Sequence, residues 1–292
     1  MSTTNSTLVS VIIPTYNHWP NIKKAIASCL DQTHKNVEVV VVDDGSTDNT
    51  VGELKALNYS RVRIIENHHT GKLGLLKNIG LKKSTGDWIA FLDSDDIWKP
   101  EKLTKQLQAL QTKNLLTWCI TNYIIRYDEG TSFKNDKAPG LSLSPDNMFE
   151  KLLSYNHAAM LHCTLLSRVL QKKVGWFNES LYLTDDYDYL MRLAYHAPAV
   201  LVDEPLSVYN KSSNRPWSAK QSLNHNRDML KVNKFVVPLA RKRGLLKLAY
   251  ANQELHRKSN LNAAKRTRNP FSIIPAYIDF YFSKFIRRIS LL

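Results

Sequence analysis

The sequence predicts an α/β fold: an open, mostly parallel sheet flanked by helices, followed by a basic amphipathic helical extension. Short β-branched runs alternate with helical periods over the first hundred residues. Residues 37–42 are nearly continuous in β-branched side chains, as in a strand that is buried on both faces. The charge is also uneven. Residues 205–292 hold 18 Lys and Arg against 3 Asp and Glu, whereas residues 1–204 hold 22 against 23.

The individual elements follow from the apolar spacing in chain order. A β-rich run stops at Pro14, and the last helix of the series opens at Pro100, where a missing N–H costs nothing. The order β-α-β-α-β-α-β-α predicts an open parallel sheet. The predicted strands are residues 8–13, 37–42, 62–65 and 88–92, and the predicted helices are residues 21–30, 48–57, 74–83 and 100–110.

The rest of the chain divides into two parts. Residues 113–218 are less regular, with a strand at 116–127, a polar loop at 128–144, and helices at 145–154 and 184–196. From about residue 219 the pattern is helical and basic. We therefore predict a domain over residues 1–218, with halves at 1–112 and 113–218, and a helical tail over 219–292.

Composition excludes several classes of protein. With 43% hydrophobic and 23% charged residues, the 292-residue chain is expected to be globular. Its three cysteines have no CxxC spacing and are too few for a disulfide framework, which indicates a reducing compartment. Neither a signal peptide nor a spanning helix is expected, because the sequence has no basic and apolar leader and no run of about 18 uncharged apolar residues.

Acidic residues follow two of the predicted strands, at residues 43–48 and 93–96. Ligands of open α/β sheets bind beyond the carboxyl ends of the strands. Crowded carboxylates there repel one another unless a cation balances them, and Mg²⁺ and Mn²⁺ favour oxygen ligands. Each segment alone is also typical of a turn with a helix cap. The two together favour a divalent cation with a phosphorylated ligand.

Four blocks of the sequence stand out. They are SVIIPTYN at 10–17, VVVVDDGSTDNT at 39–50, GDWIAFLDSDD at 86–96 and VGWFNESLYLTDDYDYLMRLA at 174–194. These blocks resemble the signature segments of family 2 glycosyltransferases with the GT-A fold. The blocks occur in the family's order and span about residues 8–210. The resemblance implies a Rossmann-like sheet whose first half binds a nucleotide sugar and whose second half carries acceptor and catalytic residues.

The first three blocks imply a nucleotide and metal site. Tyr16 would lie by the base, and Asp44 would accept a hydrogen bond from uracil. Asp95 would be a direct metal ligand, with Asp93 nearer the ribose or the metal and Asp96 capping or supporting. Lys77 stands where the family usually has Arg, which loses the bidentate fork, and an exposed helix lysine is the alternative. The implied nucleotide-binding residues are Pro14, Tyr16, Asn17, Asp44, Lys77, Asp93 and Ser94.

The fourth block implies a catalytic base. Asp186 falls at the position of the base, which takes the proton from an acceptor hydroxyl, and Asp185 replaces the usual Glu. Neighbouring acids can raise its pKa to a useful value. An acidic first helical turn is the alternative, although the preceding residues 175–179 favour the base. The acceptor-binding or supporting residues would be Trp176, Asp185, Asp188, Arg192 and Lys211.

One departure from the family concerns histidine. Many relatives have a Tyr-Arg-x-His segment whose His touches the metal, whereas residues 208–213 read VYNKSS. Lys211 or Arg215 would meet the diphosphate instead, unless this is a solvated loop. His68, His69 and His162 show no zinc-site spacing and are expected to be loop or core histidines.

The resemblance therefore implies an inverting, metal-dependent hexosyl- or N-acetylhexosaminyltransferase using Mn²⁺ or Mg²⁺. It would move a sugar from a UDP-sugar to a hydroxyl of a glycan or lipid-linked acceptor in surface polysaccharide assembly. The QxxRW segment of processive synthases is absent, so long polymers are not expected. A nucleotide-sugar-binding protein without catalysis is one alternative, and a basic nucleic-acid-binding protein is another.

The composition of the tail determines the cellular location that we expect for the protein. Residues 271–289 combine apolar bulk with basic flanks, which suits a helix lying in a membrane interface more than nucleic-acid binding. Packing of the tail against the domain is the alternative. We expect no nucleic-acid partner, and a peripheral position on the cytoplasmic face of an anionic membrane.

Overall fold

The computed structural model describes residues 7–127, 136–137, 148–154, 160–211, 218–266, 275–276 and 278–280. Most of the predicted loop at 128–144 and most of the predicted interfacial segment at 271–289 lie outside these residues. The strands are β1 (Val9–Thr15), β2 (Val37–Asp43), β3 (Val62–Glu66), β4 (Trp88–Phe91), β5 (Ile97–Trp98), β6 (Trp118–Tyr127), β7 (Asp136–Lys137), β8 (Thr164–Ser167) and β9 (Ala199–Lys211). The helices are α1 (Asn21–Leu30), α2 (Thr50–Ala56), α3 (Leu73–Lys83), α4 (Lys102–Leu110), α5 (Met148–Leu153), α6 (Arg168–Val174), α7 (Asp185–His196), α8 (Ala219–Lys242) and α9 (Leu246–Arg266).

The described strands form one mixed sheet in the order β3-β2-β1-β4-β8-β6-β9-β5, with β7 paired to β6. The first four strands of this order are parallel, as the alternation of strands and helices predicts. The strand β8 then enters antiparallel to both β4 and β6. The parallel half therefore presents the ends of β1, β2 and β4 at one edge, where the acidic segments follow.

The sequence predicts that the first strand stops at Pro14. In the structure, β1 continues through Pro14 to Thr15. The carbonyl of Ile12 accepts from Leu92 beyond β4, whereas the carbonyl of Thr15 accepts from Asp44 beyond β2. The backbone polar groups of alternate β1 residues thus point to β4 and to β2 in turn, and Pro14 is at a position that points to β4. The last β4 pair is Ile12 with Phe91, so the missing N–H of proline costs no ladder bond.

Apolar side chains pack on both faces of the sheet. One cluster lies between the sheet and α1 and α4, and includes Ile26 and Leu107. The other lies between the sheet and α5, α6 and α7, and includes Trp118 and Tyr189. Burial on both faces explains why β2 is continuously apolar rather than alternating.

The sequence pattern does not predict β5, β7, β8, α6 or β9. The strand β8 has four residues and runs directly into α6, whose cap is Ser167, so neither pattern is long enough to be recognised. The strand β9 contains Asp203, Glu204 and Pro205, and its pairing with β6 shifts register at this point. That irregularity removes the alternation that marks a strand.

The predicted helical tail begins as α8 and α9, which pack on the domain. Val232, Val236 and Ala249 are buried in the same cluster as α7. Asn252 donates to the carbonyl of Leu153 at the end of α5, 2.8 Å away. Packing thus accounts for one face of each helix. Among the described residues, no helix is both long enough and apolar enough to cross a membrane.

Candidate active site

The loops after β1, β2 and β4 are tied to one another at the carboxyl edge of the sheet. Asn17 has a left-handed backbone with φ of 49°, its N–H donates to Ser46 Oγ at 2.9 Å, and its side-chain oxygen accepts from Thr47 N at 2.7 Å. Ser94 Oγ lies 2.5 Å from His18 Nδ1. Of the nucleotide-binding residues that the resemblance implies, Asn17 and Ser94 therefore hold this edge together.

Asp44 organises the loop that leads into α3. Its carboxylate accepts hydrogen bonds from Thr70 N, Thr70 Oγ1 and Gly71 N at 2.7 to 3.0 Å. His69 Nδ1 also lies 3.0 Å from this carboxylate. Asp44 is only 2% exposed, so most of its hydrogen-bonding capacity is used within the protein.

An exposed aromatic pair stands beside Asp44. The ring of Tyr16, which is 40% exposed, stacks on His69 with centroids 4.2 Å apart. Pro14, in contrast, is buried within β1. A flat surface at the end of β1 is suited to stacking against a nucleobase. The sequence indicates Tyr16 but not His69, whose spacing resembles no known site.

Lys77 joins two acids of α7 to α3. Its ammonium lies 2.9 Å from Asp185 Oδ2 and also contacts Asp186 Oδ1. The Lys77 side chain is 1% exposed, so the alternative of a solvated helix lysine is wrong. Burial opposes its charge, but Asp185, Asp186 and Asp93 together hold the pKa of Lys77 well above its usual value. The Lys77 ammonium therefore interacts electrostatically both with the acids of α7 and with Asp93 in the loop after β4.

Asp186 combines access with an unusual pKa. Its side chain remains 38% exposed, whereas that of Asp185 is 4% exposed. Burial of the carboxyl group raises the pKa of Asp186 to about 7, against the opposing effect of Lys77. A carboxylate that ionises near neutrality is a stronger base than an ordinary Asp and can exchange protons with a ligand in the cleft.

The loop after β4 contains a second group of acids. Asp96 is fully buried, and its Oδ1 accepts from the backbone N–H of Asn210 in β9 at 2.8 Å. Its Oδ2 lies 3.0 Å from Nδ1 of the buried His162. Burial disfavours a charged His162 ring, but Cys163 and Asp96 outweigh it and hold the pKa of His162 well above the usual value. An imidazolium thus neutralises Asp96.

Neither Asp93 nor Asp95 forms an ion pair of this kind with a cation in the part of the chain that the structure describes. Burial, with a smaller contribution from repulsion by Asp96, raises the pKa of each to about 6, although Lys77 acts to lower that of Asp93. The ligand atoms of Asp93, Asp96 and His162 lie within 4.8 Å of one another, a grouping that could hold a metal ion. Asp95 lies on the same loop but outside this grouping. Crowded carboxylate oxygens with excess negative charge fit a hard divalent cation.

The remaining predicted residues have separate positions. Asp188 accepts two hydrogen bonds from Arg192 at 2.6 and 3.0 Å, and Arg192 also donates to the carbonyl of Val174. This pair braces α7 rather than entering the cleft. Trp176 is exposed beside α3, Lys211 is the last residue of β9, and Arg215 lies outside the described residues.

Comparison with known proteins identifies the family. Residues 10–175, more than half of the chain, match the model described as Glycosyl transferase family 2. The chain belongs to this family. An uncharacterised glycosyltransferase of Rickettsia typhi is 36% identical over 189 residues, which are 63% of this chain and 58% of the relative. The match to a Rickettsia bellii relative covers 33% of that protein. The chain thus spans about a third to three fifths of these relatives' lengths.

The chain is also similar in sequence to a relative with a described activity, and similar in fold to a solved structure. The Escherichia coli UDP-Glc:alpha-D-GlcNAc-diphosphoundecaprenol beta-1,3-glucosyltransferase WfaP is 33% identical over 188 residues, 64% of this chain and 69% of WfaP. S. aureus TarS 1–349 in complex with UDP-GlcNAc superimposes with a TM-score of 0.68 at 18% identity, over 94% of this chain and 81% of TarS 1–349. The fold is therefore GT-A, as the sequence blocks imply.

Proposed function

We propose that this chain is an inverting glycosyltransferase that moves a sugar from a UDP-sugar to a hydroxyl of a lipid-linked glycan. The observation that carries the proposal is the buried ammonium of Lys77. It contacts Asp185 and Asp186 and interacts electrostatically with Asp93. The proposed base and the proposed donor site therefore belong to one cleft.

Asp186 acts as the general base in this proposal. Its carboxylate takes the proton from the acceptor hydroxyl as that oxygen forms a bond to C1 of the donor sugar. The bond between C1 and the diphosphate oxygen breaks, and UDP leaves on the opposite face. A single displacement of this kind inverts the anomeric carbon. Lys77 favours the ionised form of Asp186 and holds the carboxylate in position.

Asp93 and Asp95 are the proposed ligands of a divalent cation. When bound there, Mn²⁺ or Mg²⁺ supplies positive charge against the charge that develops on the leaving diphosphate. Asp96 is already neutralised by His162 and bonded to β9, so we assign it to holding the loop in shape. Tyr16 and His69 are the proposed stacking surface for the base.

The activities of two relatives support the substrate classes of this proposal. WfaP and a second E. coli protein, WfgD, which is 36% identical over 147 residues, are both described as UDP-Glc glucosyltransferases acting on GlcNAc-diphosphoundecaprenol. Their donor is a UDP-sugar and their acceptor a lipid diphosphate saccharide. We extend these two classes, but not the particular sugars, to this chain, with a hexosyl or N-acetylhexosaminyl donor in surface polysaccharide assembly.

The test is a donor screen by nucleotide release. UDP-, GDP- and dTDP-sugars are each incubated with the protein and Mn²⁺ or Mg²⁺, with and without GlcNAc-diphosphoundecaprenol as acceptor. We expect release of UDP from at least one UDP-sugar, increased by the acceptor and lost with EDTA. Release that is equal for the wild-type protein and the Asp186→Asn variant would contradict the proposal.

We also propose that the helical tail associates with the membrane surface that carries the acceptor. One face of α8 and α9 packs on the domain, while the solvent side carries many cations. Each cation near an anionic leaflet contributes about 1 kcal/mol, and salt screens this attraction. Over residues 218–266, which the structure describes, the exposed cations are Lys220, Arg227, Lys231, Lys234, Arg241, Lys242, Arg243, Lys247, Lys258, Lys265 and Arg266.

Liposome flotation tests this association. We expect binding to vesicles containing anionic lipid at 50 mM salt and release at about 500 mM. The variant should be Lys234→Gln, Lys242→Gln, Lys247→Gln and Lys258→Gln combined, because truncation would uncover the buried face of α8. Matched substitutions of Lys23, Lys24, Lys55 and Lys113, exposed cations of the first half, serve as control. Equal binding by the two variants, or no binding at 50 mM salt, would contradict the role of the tail.

A further inference from the structure

A short segment, residues 180–183, leads directly into the helix that carries the proposed base. Thr184 is the N-cap of α7, and Asp185 and Asp186 are the first two residues of this helix. The side chain of Thr184 makes no capping hydrogen bond, although such a bond commonly fixes the start of a helix. The position of the first turn of α7 therefore depends on how the preceding segment is held.

Asp228 of α8 holds this segment by its backbone. One carboxylate oxygen, Asp228 Oδ2, accepts from the N–H of Tyr182 at 2.5 Å and from the N–H of Leu183 at 3.0 Å. Asp228 is 3% exposed, and burial of a carboxylate is costly unless hydrogen bonds or a cation compensate it. Hydrogen bonds to an ionised acceptor are stronger than neutral ones. Two bonds of this kind fix the backbone immediately before the N-cap of α7.

Lys231, one turn further along α8, adds a second attachment. Its ammonium lies 3.1 Å from Asp228 Oδ1 and donates to the carbonyl of Ser180 at 3.1 Å. The remaining residue of the segment, Leu181, is buried in the same apolar cluster as Val232 of α8. The segment is therefore held along its whole length, and its polar contacts with α8 come from two residues that are three positions apart.

The side chain of Tyr182 extends from this segment to the loop that Asp44 organises. A Cβ added to Gly71 would lie 3.3 Å from the hydroxyl oxygen of Tyr182. The N–H of Gly71 in turn donates to the Asp44 carboxylate at 2.7 Å. Residues 180–183 therefore connect α8 with both the start of α7 and the proposed nucleotide-binding loop. A displacement of this segment would change the distance between the proposed base and the donor.

We propose that Asp228 is a positioning residue for the transfer reaction. It holds residues 180–183 through their N–H groups, and the first turn of α7 then places Asp186 at the correct distance from the donor sugar. The first helix of the basic tail is accordingly part of the active site. This inference rests on the proposed function, since Asp228 acts through the proposed base. A residue that only fastened α8 to the domain would affect stability without affecting the chemical step.

Kinetics of the full chain with a UDP-sugar that turns over test this role. Asp228→Ala leaves two N–H groups before α7 without their acceptor. We expect kcat to fall roughly 10- to 100-fold, since a misplacement of about 1 Å can cost about 100-fold. Mn²⁺-dependent UDP affinity should stay near that of the wild type, because the loop beside Asp44 keeps its own hydrogen bonds. Asp228→Asn keeps an acceptor oxygen and should retain most of kcat.

Asn252→Ala is the matched control. Asn252 also ties the tail to the domain, but it donates to the carbonyl of Leu153 at the end of α5. Both Asp228→Ala and Asn252→Ala should lower the Tm, whereas only Asp228→Ala should lower kcat. Equal losses of kcat in the two variants, or a wild-type kcat in folded Asp228→Ala, would overturn the positioning role.

Hydrogen exchange of the backbone amides tests the same contact without turnover. In Asp228→Asn the acceptor loses its charge, so exchange over residues 181–186 should accelerate roughly three- to tenfold, because charge-assisted bonds are about twice as strong as neutral ones. Asn252→Ala should leave these amides unchanged. Unchanged exchange in Asp228→Asn would overturn the inference even if Asp228→Ala does not fold. If the wild-type protein releases no nucleotide but this exchange depends on Asp228, the segment is held as inferred and the proposed function fails.

Discussion

The two acidic clusters of the cleft differ in how their charge is balanced. At the start of α7, Asp185 and Asp186 share the buried ammonium of Lys77. In the loop after β4, His162 neutralises the fully buried Asp96, but Asp93 and Asp95 lack a contact of that kind with any described cation. One cluster therefore carries its own counter-charge, and the other has negative charge in excess.

This difference is the reason for proposing separate chemistry for the two clusters. A carboxylate whose charge is partly balanced and whose pKa lies near neutrality can gain and lose a proton during turnover. Carboxylates in excess are suited to bind a cation together with a diphosphate. Substitutions in the two clusters should consequently fail in different ways, one in proton transfer and the other in metal-dependent donor binding.

The largest effect is expected in the cluster after β4. Asp93→Ala or Asp95→Ala removes a proposed cation ligand, and several kcal/mol of charge stabilisation on the leaving diphosphate are lost with the ion. Turnover should fall by at least about 10⁴-fold. Calorimetry of UDP with and without Mn²⁺ is the measurement, because the Mn²⁺-dependent part of UDP affinity should disappear in both variants.

Two results would change this assignment. Unchanged Mn²⁺-dependent UDP affinity in Asp95→Ala would remove Asp95 as a ligand and favour the grouping of Asp93 with Asp96 and His162. Asp87→Ala, which removes an exposed acid at the opposite end of β4, serves as the matched control and should leave UDP binding unaltered.

The next largest effect is expected at Asp186. The change Asp186→Asn is nearly isosteric but cannot accept a proton, so kcat should fall roughly 10²- to 10⁴-fold. Mn²⁺-dependent UDP binding should remain near that of the wild type, in contrast to the Asp93 and Asp95 variants. Single-turnover kinetics with a saturating donor separates the chemical step from binding.

Asp188→Asn is the matched control for the base. Asp188 pairs with Arg192 at the back of α7, so its loss should lower thermal stability more than kcat. If Asp186→Asn keeps the wild-type kcat while Asp188→Asn or Asp185→Asn does not, the base has been assigned to the wrong carboxylate.

Much of the parallel half of the fold could be predicted from the sequence. Its strands are apolar runs separated by amphipathic helices such as α1, so local pattern and tertiary structure agree. The second half could not be read as well. The strand β9 is interrupted by Pro205 and pairs irregularly with β6, and β8 is too short to show a period. The ends of these two strands are determined by their pairing with other strands of the sheet. The local sequence carries no information about that pairing.

The site shows the same division. The acids after β4 and at the start of α7 could be found because they form dense local clusters. The partners that neutralise them could not. His162 is one histidine in an apolar stretch, and its ring reaches Asp96 only because β8 enters beside β4. Lys77 could be placed on α3, but its burial between two acids depends on how α7 packs.

A smaller effect is expected at His162. If it supports the loop rather than binding the cation, His162→Gln should weaken Mn²⁺ affinity about 10- to 100-fold, the usual loss when a supporting partner is removed. At saturating Mn²⁺ the variant should recover most of the wild-type kcat. Mn²⁺ titration of UDP binding is the measurement. A variant that stays inactive at saturating Mn²⁺ while remaining folded would make His162 a direct ligand.

The smallest change in maximal rate is expected when Lys77, the counter-charge of Asp186, is replaced. Such a substitution should mainly alter the pH dependence of the reaction. Burial raises the pKa of this carboxyl group to about 7, and only its ionised form can accept a proton. The value of kcat/KM should therefore rise with pH through an apparent pKa near 7 and level off above it. Lys77 favours the ionised form, so Lys77→Met should move this limb upward by about one unit or more. Lys77→Arg keeps the cation and should leave the limb near 7.

The pH profiles of kcat/KM, measured on variants whose folding is checked by circular dichroism, test this prediction. A limb that moves to lower pH in Lys77→Met, or persists in Asp186→Asn, would mean that another group titrates.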